Sequence, residues 1–250
     1  MLRAVVFDLG GTLIDYQGGA PTWVDMESAA IRSFHTWLDE NGLPHPPLEP
    51  FLNTALAIVE RMWLAACDGG PTFQLGDFLA RTCAAYSIRL SPDLMAEGLR
   101  RYAGTIQAGS RPLDGGPELL RQLKGRGLKL GLVSNTMWPG WMHRADMRRF
   151  GLDGYFDYLL FSGESGLWKP QPATFEHVLD QLDVTAAESV FIGDNPSVDV
   201  APAQRVGMRG VWIESPGVSL DGVQPDATIH GLAELPAVLA RWERPATRSQ

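Results

Sequence analysis

The sequence predicts an α/β fold, a doubly wound parallel sheet of Rossmann-like type with an α-helical segment inserted after its first strand. Three observations predict it. Five short runs are almost continuously apolar and rich in β-branched residues, the pattern of strands buried on both faces. Amphipathic helical patterns separate the later runs, which gives the alternation of right-handed strand-helix-strand crossovers. Between residues 18 and 110 that alternation stops, and only helical patterns appear.

The first strand is expected at 2–9, where the apolar run meets Gly10-Gly11. Helices are expected at 22–40, 48–66, 73–86 and 92–107, divided by the turn formers Asn41-Gly42-Leu43-Pro44, Asp68-Gly69-Gly70-Pro71 and Ser91-Pro92. The α/β alternation then resumes. Strands are expected at 128–134, 158–162, 189–193 and 210–214, with helices at 117–125, 141–150, 173–182 and 198–206. Two successive domains fit worse, because the later α/β part would lack its first strand. The expected division is a core of 1–17 and 111–243, a helical insertion of 18–110 and a disordered polar tail of 244–250.

At 250 residues, 45% hydrophobic and 20% charged, the chain has the composition of a globular protein. A net charge of −8 gives no general support to a nucleic-acid or acidic-membrane partner. A small metabolite is the expected partner, with the chain a monomer or homodimer. No apolar run reaches the ~18 residues of a membrane span, and Met1-Leu2-Arg3 leads directly into the first strand, so a cytoplasmic location is expected. Cys67 and Cys83 have no metal-ligand spacing and are expected as plain buried thiols. His45, His143, His177 and His230 also lack ligand spacing and are expected as surface or helix residues. Lysine is scarce: Lys124, Lys129 and Lys169 are the only candidates for a role that needs a compact ammonium.

Ligands of open parallel sheets bind at the carboxyl ends of the strands, so the residues there carry the chemistry. The first strand ends in Asp8-Leu9-Gly10-Gly11-Thr12, the second in Ser134-Asn135 and the fourth in Gly193-Asp194-Asn195, while Lys169 follows the third. Clustered acids raise one another's pKa unless a cation lies between them. A hard divalent ion such as Mg2+, completed by water and a substrate phosphate, meets that need. Ser134 and Asn135 can donate to phosphate oxygens, Lys169 can neutralise their charge, and Gly10 and Gly11 let main-chain amides approach an anion.

These strand ends, in order, resemble the four motifs of the haloacid dehalogenase-like hydrolase superfamily. Asp8-Leu9-Gly10-Gly11-Thr12 is similar to its first motif, DxDGT, and Ser134-Asn135 to its second. The stretch from Ser162 to Pro172 is similar to the surroundings of the third-motif lysine, here Lys169, and Gly193-Asp194 with Asp199 to the acidic fourth motif. The insertion matches the family's mobile helical cap. The resemblance implies that Asp8 is a nucleophile forming an aspartyl-phosphate, assisted by Ser134 and Lys169. It implies Mg2+ held by Asp8, the Gly10 carbonyl and Asp194, with Asp199 orienting the metal waters or Lys169.

One position departs from the pattern. The family's phosphatases carry a second aspartate two residues after the nucleophile, and here Gly10 stands there. General acid-base help from such a group is typically worth about 10²–10⁴-fold. Three readings stay open: a phosphatase acting on good leaving groups or using another acid, with Asp15, Asp25, Glu27 and His35 near the cap entrance; different chemistry; or a catalytically impaired phosphate-binding or protein-interaction member. Within the second reading, the intact Asp194 to Asp199 motif argues against a dehalogenase. A cap without lysine argues against a Schiff-base phosphonate hydrolase, and missing membrane spans exclude a cation pump. Trp138, Trp141 and Trp168 are expected near the site, packing the junction of cap and core or stacking on a substrate ring.

Overall fold

A computed structural model describes residues 1–243, and the tail expected at 244–250 lies outside the described residues. In chain order the elements are β1 (Ala4–Phe7), β2 (Ile14–Asp15), α1 (Trp23–Glu40), α2 (Leu48–Cys67), α3 (Leu75–Ala85), α4 (Pro92–Gly109), β3 (Arg111–Pro112), α5 (Gly116–Gly125) and β4 (Lys129–Ser134). They continue with α6 (Gly140–Arg149), β5 (Tyr158–Phe161), α7 (Ser162–Ser165), α8 (Pro172–Leu182), β6 (Ser189–Gly193), α9 (Ala201–Arg205), β7 (Arg209–Ile213), β8 (Ala227–Ile229) and α10 (Leu235–Glu243). The main sheet runs β5-β4-β1-β6-β7-β8, with every pairing parallel.

All five expected strands are present in the expected order. Their side chains alternate between two buried faces: Val5 and Phe7 join one core, and Ala4 and Val6 the other, against Phe175 and Val178 of α8. The sixth strand, β8, was not expected. It has three residues and sits at the sheet edge, too short to show a period. Helix α10 was also missed. The helix expected at 198–206 is a π-turn at Pro196–Val200 continuing into α9. The Asn195 side chain caps that turn by accepting from the N–H groups of Ser197 and Val198, each at 3.2 Å.

Helices α1 to α4 pack on one another and on the core. Thr22 and Asp25 form a capping box that starts α1, and Ser91 with Pro92 starts α4. Where α4 crosses α1, a Cβ on Gly98 would lie 2.5 Å from Cε2 of Phe34, so the close approach requires glycine. The ribbon of β2 and β3 pairs Asp15 with Arg111, which brings the two ends of the helical segment together. Opposite that ribbon, the Gln171 amide donates to the carbonyls of Ala66 and Cys67, and Leu75 N–H donates to Met137 O at 2.6 Å. Cys83 is buried and Cys67 half-buried, both as free thiols.

Glu27 is buried inside this helical layer, where it accepts a hydrogen bond from the Tyr102 hydroxyl. Burial pushes its carboxyl up to about 8. A carboxyl raised from its ordinary value of 4.5 makes the folded state bind more protons than the unfolded state, so stability falls as pH rises from 4.5 through about 8. Glu27→Gln is expected to remove this slope, up to about 1.4 kcal/mol per pH unit. Urea midpoints measured from pH 5 to 9 check it, and parallel curves for the two proteins would contradict it.

Candidate active site

Strand order reverses around β1, whose neighbours are β4 and β6, and the cleft opens at the carboxyl ends of these three strands. Asp8 follows β1 directly, held by its N–H to Ile192 O at 2.9 Å. The chain then turns sharply, with Leu13 and Ile14 both donating to Leu9 O. Gly11 adopts φ +79°, and a Cβ there would sit 2.3 Å from Oδ2 of Asp194. Its own N–H donates to Ile14 O, so Gly11 supplies clearance beside Asp194, while the N–H expected to meet an anion is already engaged.

Lys169 is 1% exposed, and its Nζ donates to Asp8 Oδ1 at 2.6 Å and to Asp199 Oδ1 at 2.7 Å. Burial lowers its pKa, but the carboxylates of Asp199 and Asp8 outweigh this and hold the ammonium above its usual value. The π-turn returns Asp199 to this position, where Oδ2 also accepts from Asn195 N–H at 3.1 Å. Asn135 was expected as a phosphate donor. Its amide instead grips the main chain of Lys169 at both ends, donating to Lys169 O and accepting from Lys169 N–H, each at 2.8 Å. It thereby fixes the main chain from which the Lys169 side chain extends.

Oxygens of Asp8, Asp194 and Asp199 lie within 4.8 Å of one another. Burial pushes the Asp8 carboxyl up to about 6 against the pull of Lys169. Asp194, desolvated and facing the charges of Asp8 and Asp199, is pushed up to about 8. An all-carboxylate, oxygen-only set with more negative charge than one ammonium balances has the donor chemistry of a hard divalent cation. The residues therefore fit Mg2+.

Ser134 is buried at the end of β4 and lines the cleft, which encloses about 220 Å³. Beside Gly10 lies a polar chain that the sequence did not reveal. The Tyr16 hydroxyl meets Nδ1 of His143 at 2.8 Å, and Nε2 of His143 meets Thr136 Oγ1 at 2.8 Å. His143, expected at the surface or on a helix, is on α6 but buried, and burial pushes its pKa down to about 3. Thr136 and His143 follow the second strand within ten residues, yet no ligand spacing marked them. Of the acids considered for position 10, Asp25 caps α1 and Glu27 pairs with Tyr102. His35 bonds Pro46 O, and Asp15 lines the cleft while accepting from Gln17 N–H at 2.8 Å. Trp168 packs the junction between Trp63 and Phe73, Trp138 meets Tyr16 edge-on, and Trp141 points outward.

The fold and this set of strand-end residues define a haloacid dehalogenase-like hydrolase, and the model of that family matches residues 2–207. The chain belongs to this family. It is 30% identical over 241 residues to the phosphoglycolate phosphatase of Rhodospirillum rubrum, covering 93% of this chain and 86% of that protein. It is 27% identical over 249 residues to the glyceraldehyde 3-phosphate phosphatase of Pyrococcus furiosus, covering 97% and 94%. The solved 2-haloacid dehalogenase of Pseudomonas syringae pv. Tomato DC3000 superposes with a TM-score of 0.73 at 29% identity, covering 97% of this chain and all of that one. No helix among the described residues is long and apolar enough to cross a membrane.

Proposed function

We propose that this chain is a Mg2+-dependent phosphatase of small phosphorylated compounds, working through an aspartyl-phosphate on Asp8. Residues 1–17 and 111–243 form its catalytic core, and 18–110 its cap. The observation that carries the proposal is the arrangement of one ammonium, Lys169, between Asp8 and Asp199, with the third carboxylate of Asp194 alongside. Such a set suits phosphoryl transfer to a carboxylate. It is more than carbon-halogen displacement requires. The phosphatase names of the relatives point the same way.

The Asp8 carboxylate attacks phosphorus and the bond to the organic oxygen breaks; water then attacks the same phosphorus, releasing phosphate and restoring Asp8. Ser134 donates to a phosphoryl oxygen. Lys169 keeps Asp8 ionised and pointed, with Asn135 fixing its main chain and Asp199 its ammonium. Asp8, Asp194 and the Gly10 carbonyl would hold Mg2+, with Asp199 close by, and the bound ion would supply charge shielding for the phosphoryl oxygens. Gly10 has no proton to give, so the leaving oxygen departs as an anion or takes its proton from water.

Turnover of p-nitrophenyl phosphate and acetyl phosphate with and without Mg2+ tests the proposal. Mg2+-dependent hydrolysis is expected. Binding of Mg2+ and phosphate without turnover would instead establish the impaired, ligand-binding reading. Halide release from 2-chloropropionate without a divalent cation would establish a dehalogenase. Position 10 has room for a side chain, since a Cβ there meets only Cδ2 of Tyr16, at 3.6 Å. Gly10→Asp is therefore expected to raise kcat on unactivated alkyl phosphates by about 10²-fold. An unchanged kcat would mean that the missing acid does not limit the rate.

A further inference from the structure

A second cavity, of about 410 Å³, opens directly from the catalytic cleft and shares Trp23, Met26, Asn135, Thr136 and Trp138 with it. Its size falls in the range of about 300–1,000 Å³ usual for ligand pockets. The far wall is Val59, Trp63 and Leu64 of α2. Trp23, Trp63 and Leu64 are 43%, 37% and 57% exposed, so three large apolar side chains stand in solvent around one opening. The acids at its edge are Glu60 and the buried, Tyr102-bonded Glu27. Among the described residues neither cavity is lined by arginine or lysine. The other polar side chains lining the second cavity, Asn135 and Thr136, are already bonded to the Lys169 main chain and to His143, so a second anionic group on a substrate, such as a carboxylate, would meet no cation and two acids there.

Gly10 adds an independent constraint on the same substrate. A site without a proton donor at that position favours an organic oxygen that leaves readily as an anion, and a phenol-type oxygen does so far better than an alkyl alcohol. Aromatic walls and an unassisted leaving group are satisfied together by one chemical class. Resting on the phosphatase reading above, we infer that the substrate is a phosphate monoester of an aromatic hydroxyl compound carrying no second anionic group. Its ring lies between Trp23, Met26, Trp63, Leu64 and Trp138, while its phosphate meets Asp8 and Ser134. In hydrolysis the phosphorus to aryl-oxygen bond breaks, the aryl oxide takes a proton from water, and inorganic phosphate follows.

The test compares kcat/KM for 2-naphthyl phosphate, phenyl phosphate, glycerol phosphate, phosphoglycolate and acetyl phosphate on the full chain with Mg2+. The naphthyl ester is expected to exceed the phenyl ester by about tenfold through KM, because the larger ring buries more apolar area. Glycerol phosphate and phosphoglycolate are expected to be poorer still. Trp63→Ala and Leu64→Glu, on an exposed face of α2, are expected to lower the ratio of kcat/KM for naphthyl to acetyl phosphate by about tenfold. Phosphoglycolate turned over as well as naphthyl phosphate, or a ratio unmoved by both variants, overturns the inference while the phosphatase reading stands. Should no phosphate turn over, that reading fails by itself, and tryptophan fluorescence titrations with 2-naphthylphosphonate and methylphosphonate decide the cavity. Tighter binding of the naphthyl compound upholds the aromatic site, and equal binding overturns it.

Discussion

Asp8→Asn is expected to abolish turnover, by at least about 10³-fold, without unfolding the protein. An amide oxygen cannot attack phosphorus to give a hydrolysable aspartyl-phosphate, and the neighbouring carboxylates are engaged elsewhere: Asp199 is tied to Lys169 and Asn195, Asp194 stands against Gly11, and Asp15 accepts from the N–H groups of Gln17 and Gly18. The fold should survive because the substituted side chain keeps an oxygen to accept from Lys169 Nζ, now 2.6 Å from Asp8 Oδ1. The acid at this position is also a burden on the folded state. Its pKa, pushed by burial from 3.8 to about 6, makes stability fall as pH rises through that window, so the asparagine variant should melt no lower than wild type at pH 7.5. Thermal melts and a stopped phosphate-release assay check both halves. Activity retained at a tenth of wild type or better would remove Asp8 as the nucleophile.

Lys169→Met is expected to act on stability as strongly as on activity. The ammonium is the shared partner of two buried carboxylates, and deleting it leaves Asp8 and Asp199 without compensation. Breaking a buried ion pair from one side typically costs about 3–5 kcal/mol. The loss has a pH signature. Without the ammonium Asp8 is harder to ionise, so the folded variant keeps a proton that folded wild type gives up near pH 6, and its deficit grows as pH rises above about 6. Urea denaturation should show a small deficit at pH 5 and the full one at pH 8, partly restored by Mg2+. An equal deficit at both pH values would assign the loss to packing alone. Activity should fall steeply as well, because Lys169 is the one ammonium in contact with Asp8 among the described residues.

The five strands and the four long inserted helices were legible because each is long and periodic enough for its burial pattern to show locally. That Gly10-Gly11, Ser134-Asn135, Lys169 and Asp194 gather at one end of the sheet was legible for a related reason: parallel strands all end on one side, so residues far apart in sequence meet by topology. Other features had no local signature. β2 and β3 have two residues each and exist only because the ends of the insertion meet. Asn135 looked like a phosphate donor, but its amide is committed to the main chain of a residue 34 positions away. His143 and Glu27 are of types usually found in solvent. Each is buried with a hydroxyl partner distant in sequence.

The sequence by itself determined the class of this protein: the order of its strands, its helical insertion, the acids and ammonium at the strand ends, and the glycine at position 10. These are properties of local pattern and chain order. Only the tertiary structure decided how the groups are used. It gave one ammonium to two carboxylates, buried Tyr16 and His143 beside Gly10, and joined Trp23, Trp63 and Trp138 from three parts of the chain into one aromatic cavity. The physical reason is that hydrogen bonds, desolvation and cavity walls depend on distance in space, which periodicity along a chain does not encode.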